Sequence, residues 1–143
     1  FYYPLKLEGW YKYKAGANFS SKGEIIEGRK DKCDIYGVLY ETDDNVQFLD
    51  GSTSLTSPNI VALARNLDAL PETDNWKQFS FKFEPKNGKS IDSDKLEKGI
   101  YKLAIVFSSS VDGGKFEGAV GSTLYIDKVV IEHTSNPNEY PAN

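Results

Sequence analysis

Apolar and polar residues alternate along much of the chain. The run WKQFSFKFE (76–84) is the strictest case, with Phe79, Phe81 and Phe83 on one face and Gln78, Ser80 and Lys82 on the other. LKLEGWYKYK (5–14) alternates too, and CDIYGVLYET (33–42) is rich in β-branched and aromatic residues. GIYKLAIVFSSS (99–110) puts Tyr101, Leu103, Ile105 and Phe107 on one side, and STLYIDKVVIEH (122–133) closes the series. A period of two with one apolar face predicts strands in half-buried sheets. Turn chemistry separates the runs at NFSSKG, TDDN, LDGSTS, PKNGKS and VDGG. Many strands and little helix predict an all-β fold: sandwich, jelly roll or barrel.

One segment resists this reading. SPNIVALARNLDAL (57–70) carries an N-cap serine, a proline in the first helical turn and apolar residues at helical spacing. Local rules favour a helix there, and a strand through Ile60 to Ala64 followed by an irregular loop is the alternative. The segment from Phe107 to Glu132 raises a second question. It places three serines, four glycines, Phe116 and two acids between strand-like runs, far more than a turn needs.

The 143 residues fit one domain with its own core, centred on about 5–133, with a polar, proline-containing tail at 134–143 expected to be loosely held. Aromatic residues reach 13%, as 9 Tyr, 8 Phe and 2 Trp. The net charge of −4 is interspersed, which argues against a nucleic-acid partner, and no apolar run is long enough for membrane insertion. Cys33 is the only cysteine, so no internal disulfide forms, and its alternation with Ile35 and Leu39 marks it as a core thiol.

Catalytic chemistry finds little footing. His133 is the only histidine, and no motif sets it beside a serine or Cys33 as a base. The 21 acidic residues will form pairs by chance, and no spacing singles out two for glycoside hydrolysis. Asp127 stands out because it lies within a strand, in LYIDKVVI. Alternation gives it the face of Tyr125, Val129 and Ile131, where a carboxylate must be paired, capped or metal-bound. A hydrogen-bonded or lysine-paired acid is the first account. A structural calcium ion shared by Asp127 and Glu8 is the second.

The aromatic residues suggest a ligand. With Cys33, Ile35, Gly37 and Leu39 facing the core, Tyr36 and Tyr40 share the outer face, while Trp10 shares its face with Glu8, Lys12 and Lys14. A ring packs against the C–H face of a pyranose, and neighbouring polar groups bond its hydroxyls. Outer tyrosines also serve as cross-strand pairs that stabilise a sheet.

GWYKYKAG (9–16), DIYGVLYET (34–42), LDG (49–51), NIVALA (59–64), W…FSFKFE (76–84) and YKLAIVFSSSVDGGKFEGAVGSTLYIDKVVI (101–131) occur in that order. Together they resemble the putative carbohydrate metabolism domain found at the C-terminus of secreted and surface lipoproteins of Bacteroidetes-type gut bacteria. The resemblance implies a two-sheet antiparallel jelly-roll β-sandwich similar to carbohydrate-binding modules. It also implies a strand at 60–64, a further domain upstream in the same chain, and a secreted or cell-surface location. It brings no established catalytic residues.

The expectation is therefore a non-catalytic module that binds a polysaccharide or other glycan. Trp10, Tyr36, Tyr40 and Phe116 are its stacking platforms, and Lys12, Asp34 and Ser108 its polar partners. Phe116 has two readings, an exposed ring at the apex of a glycine-rich loop or a plug folded into the sandwich end. A protein-interaction or scaffold domain of a cell-surface assembly is the alternative function, and a glycoside hydrolase the third.

Overall fold

The computed structural model describes residues 2–140. Two sheets face each other. One has the order β10-β1-β6, formed by Thr123–Thr134, Tyr3–Lys14 and Thr73–Lys82. The other has the order β7-β5-β4-β8, formed by Glu84–Pro85, Ile60–Arg65, Asp34–Glu41 and Tyr101–Ser108. A small third sheet joins β3 (Glu24–Ile25), β2 (Phe19–Ser21) and β9 (Glu117–Ala119). All pairings are antiparallel. The expected all-β sandwich is thus what the chain forms, with the third sheet in addition.

The alternating faces explain the core. Leu7, Tyr11 and Tyr13 of β1 meet Phe79 and Phe81 of β6, Phe83 beyond it, and Cys33, Ile35, Leu39, Ala62 and Ala64 from the opposing sheet, all buried. Two glycines make room for rings. A Cβ on Gly9 would lie 2.7 Å from Phe79 Cζ, and one on Gly37 would lie 2.6 Å from Phe83 Cζ. The segment at 57–70 is strand β5 and then a 3-10 turn at Leu67–Ala69, capped by the Asn66 side chain. Pairing with β4 on one side and β7 on the other overrides the local helical signal.

β4 is buried on both faces. Its inner face joins the main core, and its outer face lies under the 42–58 connection. There Tyr36, Val38, Tyr40 and Ile60 pack with Leu49 and Leu55. Tyr36 Oη and Ser54 Oγ are hydrogen-bonded at 2.7 Å, and Lys102 and Lys86 hold the connection by donating to the carbonyls of Gln47 and Leu55.

The long 109–122 insertion builds the third sheet. A 3-10 turn at Gly113–Lys115 ends in Phe116, which adopts the left-handed conformation at φ 59°, and β9 then pairs with β2. Its anchor is Asp31, only 4% exposed. Asp31 Oδ2 accepts from Ser110 Oγ at 2.6 Å, Ser122 Oγ at 2.7 Å and Ala119 N at 2.9 Å, while Oδ1 accepts from Lys32 N at 2.9 Å. Gly118 is small for this reason, since a Cβ there would sit 2.8 Å from Ser110 Oγ and 3.2 Å from Asp31 Oδ2. Ser110, Ser122 and Gly118 of this segment therefore converge on one buried carboxylate.

The tail is anchored further than its composition predicts. β10 runs through Thr134, whose hydroxyl bonds to Glu139, and the Tyr140 ring lies 4.9 Å from that of Tyr3. The last part of the expected tail, 141–143, lies outside the described residues.

Candidate functional site: an aromatic shelf on the three-stranded sheet

The outer face of the β10-β1-β6 sheet is open, and its register arranges side chains in rows. Glu8 lies between Ser80 and Val130, Trp10 between Gln78 and Asp127, and Lys12 is paired with Tyr125. On the β6 side of Lys12, where the register shifts, stands Trp76. Trp10 is 38% exposed, Trp76 44% and Tyr125 56%. Neighbouring strands are about 4.8 Å apart and successive outward residues of one strand about 6.8 Å. The three rings thus form one surface on the scale of a short oligosaccharide.

Lys12 divides this surface. Its ammonium lies 4.9 Å from the Trp76 ring centroid and 5.3 Å from that of Tyr125, a cation held over two electron-rich faces. A hollow of about 340 Å³ opens on one side, lined by Trp10, Trp76, Asp127 and Lys128. A smaller one of about 170 Å³ is bordered by Lys12, Lys14, Asp74 and Tyr125. Another hollow, of about 300 Å³ beside Leu67, Leu70 and Pro71, has no exposed aromatic ring in its lining.

Only part of the expected site is assembled here. Trp10 and Lys12 lie together on the shelf, as the alternation of β1 requires. Tyr36 and Tyr40 do face outward from β4, but they are 5% and 4% exposed because the 42–58 connection covers them, and they offer no stacking surface. Asp34 is buried as well. Its carboxylate takes bonds of 2.7 to 3.2 Å from the guanidinium of Arg65, which leaves it no role toward a surface sugar. Those bonds also push the Arg65 pKa up. Ser108, paired with Asp34 on β8, donates its hydroxyl to the Ser110 carbonyl at 2.8 Å and belongs to the insertion rather than the shelf. Phe116 is 77% exposed, which settles its two readings in favour of the projecting ring, but it projects from the third sheet.

Asp127 also needs correction. It faces solvent beside Trp10 rather than the core, and its Oδ1 accepts the Lys128 backbone N–H at 2.8 Å. The cause is an irregularity in β10. Glu8 pairs with Val130 but Trp10 with Asp127, so one extra residue is accommodated, and Lys128 takes φ 51°. This bulge changes the phase of the strand, so that Leu124, Ile126 and Ile131 point inward. The buried-charge argument for calcium at Asp127 and Glu8 therefore falls away. Among the described residues no cluster of three or more His, Cys, Asp or Glu side chains is placed to hold a metal ion.

Trp76 and Tyr125 were missed from the sequence. Trp76 was legible, since it has the parity of Gln78 and Ser80, opposite to the three phenylalanines. Tyr125 was hidden by the bulge.

Over residues 1–132 the sequence matches the family described as the putative carbohydrate metabolism domain, PCMD. The chain belongs to the PCMD family. Two solved structures share the PCMD fold seen here. One, a putative glycoside hydrolase from Bacteroides thetaiotaomicron, is 48% identical with a TM-score of 0.89, and the match covers 93% of this chain and 39% of that one. The other, a putative glycoside hydrolase from Bacteroides vulgatus, is 43% identical with a TM-score of 0.84, covering 93% of this chain and 53% of that one. The PCMD chain thus spans well under two-thirds of either protein. No curated protein matches it. Among the described residues, no helix is long and apolar enough to cross a membrane.

Proposed function

We propose that this PCMD domain is a non-catalytic glycan-binding module of a secreted or surface-anchored bacterial protein. It holds polysaccharide on the outer face of its three-stranded sheet. The observation that carries this reading is the exposure of Trp10, Trp76 and Tyr125 from three adjacent strands of one open face. Each ring offers an apolar face to a pyranose, and Gln78, Asp127 and Lys12 supply hydrogen-bond partners at its edge. Covering about 50–80 Å² of ring face at about 25 cal/mol per Å² contributes about 1.3–2 kcal/mol per ring, or roughly tenfold in Kd.

Affinity electrophoresis and calorimetry against a panel of plant and host polysaccharides test the proposal. Wild-type protein should be retarded by at least one polymer. Trp10→Ala and Trp76→Ala should each weaken that interaction roughly tenfold, and Phe116→Ala should leave it unchanged. Retention that survives loss of both tryptophans would place binding elsewhere.

A second reading draws on the neighbours, both described as putative glycoside hydrolases. Asp127 is the cross-strand partner of Trp10, and Glu8 lies in the adjacent row of the same face. A pair of carboxylates about 5–10 Å apart is what glycoside hydrolysis uses. Release of reducing ends that Glu8→Gln and Asp127→Asn each abolish would favour this reading over simple binding.

A further inference from the structure

The shelf is built around a cation that the protein itself leaves without a counter-charge. Lys12 sits at its centre, half-buried between the rings of Trp76 and Tyr125. Ion pairs elsewhere engage Lys6, Arg29, Lys30, Arg65, Lys95 and Lys115. Among the described residues no carboxylate comes within ion-pair distance of Lys12. Two features keep this arrangement from being incidental. The flanking rings fix the ammonium at the middle of the open face, where a flexible lysine would otherwise extend into water. The adjoining Asp127 belongs to the next row, beside Trp10, and is turned to the Lys128 backbone N–H.

Resting on the glycan-binding reading, we propose that the shelf selects an acidic glycan. Lys12 bonds an anionic substituent of one sugar residue while Trp10 and Trp76 stack on its neighbour. An ammonium over two rings satisfies its charge only partly, and among the described residues no acceptor takes up its N–H donors. A carboxylate or sulfate group there forms a charge-assisted hydrogen bond, stronger than one to a neutral hydroxyl. Asp127, an acceptor at the far edge, favours hydroxyl donors and sets the anion in the Lys12 row. The net charge of −4 repels a polyanion, so acidic-glycan binding here requires a local cation rather than general attraction.

The test compares polygalacturonate (carboxylate), dextran sulfate (sulfate) and neutral dextran and xyloglucan, by calorimetry at low and at high salt. Wild-type protein is expected to bind at least one anionic polymer about three- to tenfold more tightly than the neutral ones, with the margin shrinking in high salt. The anionic arm that wins identifies the group. Lys12→Met, which keeps the apolar stem between the rings, should erase the margin, and Lys12→Arg should retain most of it. Lys98→Met, at the exposed residue that follows the one-turn helix Ser93–Glu97 and lies outside both sheets, controls for overall charge. Equal affinity of the wild type for neutral and anionic polymers, or an anionic preference that survives Lys12→Met, overturns the inference and leaves the shelf intact. A wild type that binds no glycan overturns the shelf as well.

Discussion

Replacing Asp31 should unfasten the 109–122 insertion from the sandwich, and the size of the effect follows from its four donors. In Asp31→Ala the Ser110 and Ser122 hydroxyls can turn toward other acceptors, and the exposed Lys32 N–H can reach water. Ala119 N cannot, since its residue is 7% exposed. Stranding one buried N–H costs about 1–3 kcal/mol, and losing bonds to a charged acceptor adds to this, for about 3–5 kcal/mol in all. Asp31→Asn is milder. Its carbonyl can take the place of Oδ2, which receives three donors, and only the Lys32 N–H then faces an amide donor, at a cost of about 1–2 kcal/mol. For a chain of this size each kcal/mol shifts Tm by about 3 °C. Calorimetric melts at pH 7 should therefore show losses of about 10–15 °C for the alanine variant and about 3–6 °C for the asparagine variant. Retention on polysaccharide should persist below the transition, because Asp31 makes no contact with the shelf. An alanine variant that melts within about 3 °C of wild type would show that the carboxylate does not hold the insertion.

Other outcomes follow from the core and its ionisable groups. Gly37→Ala forces a methyl group to within 2.6 Å of Phe83 Cζ and should cost about 1–3 kcal/mol in urea denaturation. Burial pushes Tyr3, Tyr11 and Tyr13 up to about 12 from 10.0, and the Cys33 thiol up to about 12 from 9.0. The unfolded chain loses these protons first, so stability should fall from about pH 9 upward until the folded groups ionise near pH 12. Phenolate absorbance should show these three tyrosines still protonated at about pH 10–11 for as long as the protein stays folded. Cys33, 1% exposed, should resist alkylation at pH 8.5 in the native protein and react fully in denaturant, as mass spectrometry will show. Melts in calcium and in chelator should share one midpoint, since Asp127 is solvent-exposed and already hydrogen-bonded.

The strands of this protein were legible in the sequence because most of them bury one face. Phe79, Phe81 and Phe83 are all inward, and the residues between them are outward, as the period of two requires. The same reasoning put Tyr36 and Tyr40 on the outer face of β4 correctly. It could not show that face to be roofed, because alternation reports which side a residue faces and not what lies beyond it. Leu49 and Leu55 are spaced apart in a segment full of turn residues, so nothing local marks the 42–58 connection as a lid. In β10 the difficulty is different. Val129, Val130 and Ile131 are apolar in both parities, so one extra residue at the bulge reverses the inward set without leaving a sequence signal.

This asymmetry between the two sheets bears on where a ligand can bind. On the four-stranded sheet the chain spends a 17-residue connection, 42–58, to cover the aromatic face of β4, and it satisfies Tyr36 with Ser54 and Asp34 with Arg65. On the three-stranded sheet the described residues provide no such cover, although Trp10, Trp76 and Tyr125 carry apolar surface that is costly to leave in water. Cross-strand packing and the Lys12 contacts return about 0.5–1 kcal/mol apiece to the sheet, less than covering the rings would contribute. Threonine, itself a good strand former, would suit an outer sheet face without exposing a large apolar surface. Retention of rings around an unpaired Lys12 is therefore better explained by what they contact outside the chain than by what they do for the fold. The separation is measurable. The double variant Trp10→Thr, Trp76→Thr should keep Tm within a few degrees of wild type while abolishing retention on polysaccharide. A double variant that instead fails to fold would assign the rings to the sandwich itself.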